Sequence, residues 1–314
     1  MVFLILLMVL ALVSLGLCWG AYRFTYCNPL PHVSDPYALP KGEAYERHRD
    51  RSLALIRQMD ELPFEPVTIL SEDGLRLYGR YYHVRDGAPV QIQMHGYRGD
   101  ALRDFCGGHK LAREAGLNTL VVDQRAHGKS EGETICFGVK ERYDCLKWAR
   151  YAAARWPDVP ISLAGISMGA ATVLMASDLP LPENVRCVIA DCPYTSPRAI
   201  IRKVCWSLPR YFRVLYPFAA LSAGLFGHFE LDGASALGAV SNTRLPILLI
   251  HGEEDGFVPC SMSQQLREAC AGPVRLETFP HADHGMSYME DEPRYRALVL
   301  DFLRANGALP ENET

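Results

Sequence analysis

Along most of the chain, short apolar runs alternate with longer stretches whose apolar residues recur at helical spacing. The runs are Val90 to Met94, Thr119 to Val122, Ile161 to Ala164, Val185 to Ala190, Ile247 to Ile250 and Val274 to Phe279. Between and after them, Asp104 to Ala115, Val139 to Arg155, Met168 to Ser177, Ser261 to Cys270 and Pro293 to Ala305 read as helices. Strands and helices in this order predict a mostly parallel sheet covered on both faces. Ahead of them, Pro66 to Leu70 and Leu75 to Tyr82, joined through Glu72-Asp73-Gly74, predict an antiparallel hairpin with an Asp-Gly turn. A charged amphipathic helix is expected from Gly42 to Gln58.

Three stretches depart from this rhythm. Met1 to Tyr22 carries no charged side chain, and at 1.5 Å per residue it reaches about 33 Å as a helix, enough to cross a bilayer core. A cleaved signal peptide is the competing reading, but the basic stretch that should precede its apolar core is missing. An uncleaved anchor is therefore expected, with Trp19, Tyr22 and Tyr26 at the interface. Cys27 to Pro40 holds four prolines and no periodicity, and reads as an extended linker lifting the rest off the membrane. Lastly, more than fifty residues separate Asp191 from Ile247. They include helical stretches at Pro197 to Val204 and Leu208 to Phe226, with Trp206, Tyr211, Phe212, Tyr216, Phe218 and Phe226, the natural place for a cap with a few aromatics facing a pocket.

Composition narrows the function. A net charge of −4 and a pI near 6.2 give no basic surface for phosphate contacts, so nucleic acid is not an expected partner. The ten cysteines show neither C-x-x-C pairs nor ligand-like spacing to histidine. No metal site, cofactor site or disulfide framework is indicated.

The chemistry is concentrated where Ile161 to Ala164 runs into Gly165-Ile166-Ser167-Met168-Gly169, a G-x-S-x-G turn from strand to helix. Ser167 on such a turn stands at a helix N-terminus, whose N–H groups favour developing negative charge. A hydroxyl needs a base and a group that orients the base. Asp255, in the loop after Ile247 to Ile250, and His284, after Val274 to Phe279, supply them in the order Ser, Asp, His. His281, Glu253 and Glu254 are the neighbouring rivals. The Met168 N–H and the Tyr97 N–H, from His95-Gly-Tyr-Arg-Gly99, are the expected oxyanion donors. His95, Arg125 and His127 are expected to brace loops, those of Asp123 to Gly132 tying that loop to the one carrying Gly96.

Taken together, His95-Gly96, Asp123-x-Arg125-x-His127-Gly128-x-Ser130, the elbow, His251-Gly252-x-x-Asp255-x-x-Val258-Pro259 and His284 resemble the α/β-hydrolase superfamily over roughly Pro66 to Ala305. More narrowly, the chain looks like membrane-anchored bacterial hydrolases of the serine-aminopeptidase and monoacylglycerol-lipase-like branch. It departs from that branch at Ala126, commonly glycine there, and at Gln124. The resemblance implies an α/β-hydrolase fold, a mostly parallel sheet with helices on both faces and a small helical cap, acting through an acyl-enzyme. The expected organisation is an anchor over 1–22, a linker and helix over 23–65, and a catalytic domain over 66–306 with its cap at about 195–240. The expected substrate is a small or lipid-like acyl ester. A peptidase would need acids in the cap to hold an amino terminus, where only Glu230 and Asp232 stand, and a non-catalytic, membrane-tethered binding protein would not need the three residues of the triad.

Overall fold

The computed structural model describes residues 1–32 and 35–310, and the side chains of Tyr211 and Phe212 lie outside the described residues. The chain opens with helix α1 (Val2–Thr25), then α2 (Glu43–Arg47) and α3 (Arg49–Asp60). The hairpin β1 (Glu65–Leu70) and β2 (Arg76–Tyr82) leads into β3 (Val90–Met94), α4 (Ala101–Glu114), β4 (Asn118–Val122) and α5 (Glu141–Arg155). Next come β5 (Ile161–Ile166), α6 (Met168–Ala176) and β6 (Val185–Asp191). The cap follows as α7 (Pro197–Ser207), a 3₁₀ turn over Arg210–Leu215, α8 (Tyr216–Leu225) and α9 (Ala236–Val240). The chain closes with β7 (Ile247–Gly252), α10 (Ser261–Ala269), β8 (Val274–Phe279), α11 (Ser287–Glu290) and α12 (Glu292–Ala305).

The eight strands form one sheet in the order β1-β2-β4-β3-β5-β6-β7-β8. Strands β1, β2 and β4 pair antiparallel, and every later pairing is parallel. Period-two alternation sends successive side chains to opposite layers. Leu163, Val188, Ala190, Ile247 and Leu249 join the layer containing α5 and α6, while Ala164, Cys187, Ile189, Leu248 and Ile250 join the layer of α3, α4 and α12. The central strands are buried on both faces, which is why their sequences are almost continuously apolar.

The N-terminal region departs from the expected spacer. Tyr26 is fully buried, its ring edge-on to Phe137 and Phe229 at 5.7 and 5.4 Å, and its hydroxyl donates to the Ala219 carbonyl at 3.0 Å. The Asn28 N–H donates to Glu133 O, and the Ile135 N–H to Tyr26 O, each at 2.8 Å. Residues 26–28 thus run as an extra extended segment along 133–135. The expected helix from Gly42 to Gln58 is two helices, broken where His48 leaves helical geometry (φ −104°, ψ 10°), and the first of them reaches the loop after β8, where Tyr45 bonds His284 O.

Candidate active site

The turn after β5 is as tight as its sequence demands. A Cβ on Gly165 would lie 2.3 Å from the Gly169 carbonyl carbon, and one on Gly169 would lie 1.8 Å from the Met94 oxygen. Only glycine lets the elbow pass this close to β3. Ser167 between them is held at φ 55°, a strained conformation for a residue with a side chain, its N–H bonded to the Asp191 carbonyl at 2.9 Å. Helix α6, buried along its whole length, fixes the serine at its N-terminus.

Two later loops bring the partners. Ser167 Oγ lies 2.8 Å from His284 Nε2, and His284 Nδ1 lies 2.7 Å from Asp255 Oδ2. The other Asp255 oxygen accepts the Phe257 and Val258 N–H groups at 2.9 and 2.7 Å. Burial pushes the Asp255 carboxyl upward, but hydrogen bonds from His251 and His284 outweigh it and hold the group well below the usual carboxylate range. The rivals lie elsewhere. His281 pairs with Glu254 at 2.9 Å on the exposed surface, and Glu253 accepts from the Thr278 hydroxyl. Cys192 Sγ, Asp255 and His284 could together approach a metal ion, but both imidazole nitrogens already face Asp255 and Ser167.

The loop after β3 borders the cavity in front of Ser167 with Gly96 and Tyr97. Among the described residues, neither the Tyr97 nor the Met168 N–H bonds an acceptor within the protein. His95 braces this loop, with Nδ1 2.8 Å from Gly96 O and Nε2 accepting the Gln124 N–H at 3.0 Å. His127 does likewise, accepting the Arg98 N–H at 3.0 Å, and burial holds it neutral by lowering its pKa well below the ordinary histidine value. Arg125 turns the other way, to Asp144 and Asp73, so it ties its loop to α5 and the β1–β2 turn rather than to Gly96.

Four further residues near the centre have no role in the sequence reading. His251, buried, has Nε2 2.9 Å from Val258 O and 3.3 Å from Asp255 Oδ2, and Nδ1 2.6 Å from Ser263 Oγ. With two acceptors at Nε2, the proton belongs there, and the imidazole steadies Asp255 from behind. Tyr45 of α2 donates its hydroxyl to the His284 carbonyl at 2.8 Å. Cys192, at φ 48°, sits with Sγ 4.0 Å from His284 Nε2. Asp191, only 3 % exposed, has an Oδ1 without a partner and lines the cavity. Burial pushes its carboxyl up to about 6. The motif His251-G-x-x-Asp255 was the only sequence signal for any of them.

The cavity of about 290 Å³ beside Ser167 is walled by Tyr45, Phe105, Met286, Tyr288 and Met289, from α2, α4 and the stretch after His284. Among the described residues, no cap aromatic lines it, contrary to expectation. Trp206 packs on Tyr216 at 5.6 Å, and Phe226 on Tyr22 of α1 at 5.9 Å. From the cap, Lys203, Val204 and Leu208 of the α7 region border a second, open hollow of about 430 Å³ that touches His284 and Phe257.

The chain is similar to several known proteins. The family described as serine aminopeptidase, S33, matches residues 92–229. YqkD of Bacillus subtilis is 27% identical over 263 residues, 82% of this chain and 85% of its own. The lysophosphatidylserine lipase ABHD12 of Xenopus tropicalis is 27% identical over 233 residues, 68% of this chain and 57% of its own. The Pyrococcus furiosus esterase Pf2001 superposes with a TM-score of 0.64 at 23% identity, covering 90% of this chain and 98% of that one. With its eight-stranded, mostly parallel sheet covered by helices on both faces, the chain has the α/β-hydrolase fold, and these are the proteins it is similar to.

Proposed function

We propose that this protein is a serine hydrolase of carboxylic esters that works through an acyl-enzyme. The observation that carries the reading is the continuous line Ser167 Oγ to His284 Nε2 at 2.8 Å and His284 Nδ1 to Asp255 Oδ2 at 2.7 Å. His284 takes the hydroxyl proton as Ser167 attacks the ester carbonyl, then delivers it to the leaving alcohol. Asp255, held anionic, keeps the imidazole in the Nδ1–H tautomer and stabilises its cationic form. The Tyr97 and Met168 N–H groups receive the oxyanion. Water activated by the same histidine frees the acid. The walls of aromatic and methionine side chains suit an acyl chain, and α1 serves as a membrane anchor.

A peptidase or amidase is the second reading, favoured by the family description matched over residues 92–229 and by the unpartnered Asp191 oxygen at the cavity, which suits an amino group. The expected cap acids do not support it, since Asp232 is exposed and taken by Arg198. Fluorophosphonate labelling of the full-length chain, with parallel panels of acyl esters and aminoacyl amides, tests both. Labelling that disappears in Ser167→Ala, with ester turnover dominant, supports the esterase. Labelling that persists in the variant removes Ser167 from the role, and faster amide cleavage promotes the peptidase.

A further inference from the structure

The depth at which α1 is joined to the rest of the protein has a consequence for the cap. α1 spans 24 residues, and from Val2 to Val13 every side chain is exposed. One face is then shielded at Ser14, Cys18, Ala21, Tyr22 and Thr25, the spacing of a single helical stripe. The cover is α8, which packs along it in the antiparallel sense, since Tyr26 reaches Ala219 while the Tyr22 ring lies tilted against Phe226. The uncovered part of α1 is about 18 Å long, whereas the hydrocarbon core of a bilayer is about 30 Å thick. If α1 spans, part of the Ser14–Tyr22 stretch also lies at acyl-chain depth, and α8 is fastened to that stretch.

The composition of α8 agrees. Tyr216 to Leu225 carries no charge. Its small residues Ala219, Ser222 and Ala223 are buried, as in closely packed membrane helices. Leu221 and Leu225, 57% and 47% exposed, extend the apolar surface that α1 presents on its other sides. At the upper edge stand Arg23, whose guanidinium lies over Trp19 at 5.9 Å, and Arg213 on the 3₁₀ turn that leads into α8, residues that fit the headgroup layer.

From this juxtaposition we infer that α8 is seated in the same bilayer that α1 crosses, with Leu221 and Leu225 in contact with lipid. The inference rests on the anchor reading of α1 and deepens the proposed function. The cap is a membrane-embedded floor, and because its α7 end supplies Lys203, Val204 and Leu208 to the hollow at His284, the ester it serves is a lipid-soluble one drawn from the membrane.

The test uses the full-length chain in phosphatidylcholine and phosphatidylglycerol vesicles. In Leu221→Trp, the added fluorescence should be quenched by lipids brominated in the upper acyl chain and shielded from acrylamide. In Leu221→Lys with Leu225→Lys, hydrolysis of a long-chain ester dissolved in the vesicles should fall about tenfold or more, while hydrolysis of a water-soluble short ester stays unchanged. Acrylamide quenching without bromolipid quenching, or shielding that appears only as the chain self-associates, would overturn the inference while leaving the anchor intact. A chain released by alkaline carbonate fails as an anchor, which fractionation shows before any fluorescence is read, and the inference falls with it.

Discussion

At the scale of single residues, the proposed reactive centre combines groups that motifs mark with groups that only the fold brings there. Ser167, Asp255 and His284 were legible because each follows a strand at the edge where parallel sheets place their chemistry, and because the glycines at 165 and 169 report a backbone approach no other residue permits. Replacing His284 by Ala should lower ester turnover about 10⁵-fold or more, with His281→Ala close to wild type, and Asp255→Asn should cost about 10⁴-fold while Glu253→Gln costs little. Steady-state kinetics of the four variants check the assignment, and a reversed ranking would transfer the roles. Asp191 and Tyr45 were not legible, since nothing in their local sequence announces a neighbour far along the chain. Asp191 also makes a prediction about pH. Its folded pKa of about 6 lies above the ordinary 3.8, so the folded state gives up this proton less readily than the unfolded one. Its contribution is fully present below pH 4 and is lost as pH rises through 6, a swing of up to about 3 kcal/mol. Asp191→Asn removes the titration, so its stability relative to wild type should climb between pH 4 and pH 8 in denaturant melts. A difference independent of pH would show that Asp191 does not titrate in this range.

At the scale of elements, strand positions agree with the hydrophobic pattern to within a residue or two, since a two-sided sheet writes itself into the sequence as apolar runs. Val90–Met94 and Val274–Phe279 have the expected bounds. What periodicity does not reveal is which layer a polar helix lies against. The proline-rich stretch has no periodicity and the short α2 buries no residue, yet Leu39, Pro40 and Tyr45 cover the cavity, while α8 of the aromatic cap, richer in apolar residues, packs on α1. The specificity of an ester hydrolase should therefore follow the N-terminal strap and the wall after His284. Trimming Met289 to Ala lengthens the cavity and should move the preferred acyl chain upward by about one or two methylenes, each worth roughly 0.8 kcal/mol or about fourfold in catalytic efficiency. Phe218→Ala, in the cap, should leave the optimum in place. Chain-length profiles on p-nitrophenyl esters decide between the two walls, and a shift caused by Phe218→Ala alone would return specificity to the cap.

For the whole molecule, the joint between α1 and the sheet domain is a built interface rather than a tether. The Tyr97 hydroxyl donates to the Thr25 carbonyl at 2.8 Å, and the Arg98 guanidinium donates to Phe24 O at 2.8 Å and Cys27 O at 3.1 Å. The loop that carries the Tyr97 N–H thus holds the end of α1, and the orientation of the reactive centre is fixed relative to that helix. Length and apolarity announced the helix, but such long-range bonds leave no periodic trace, and so the sequence read as a spacer. The two pictures differ in where the chain can be cut. A spacer would tolerate removal of Met1 to Tyr26. In this structure that cut empties the fully buried Tyr26 site between Phe137 and Phe229, and losing an aromatic of this size costs about 3–5 kcal/mol, a large share of a typical stability of about 5–15 kcal/mol. A cut after Leu17 keeps Cys18, Tyr22 and Tyr26 with their contacts. In a common detergent, the shorter truncation should match the full chain in denaturant midpoint and in turnover of a soluble ester, and the longer one should unfold at clearly lower denaturant. Equal midpoints for both truncations would mean that residues 18–26 contribute nothing to the fold, and would restore the flexible tether.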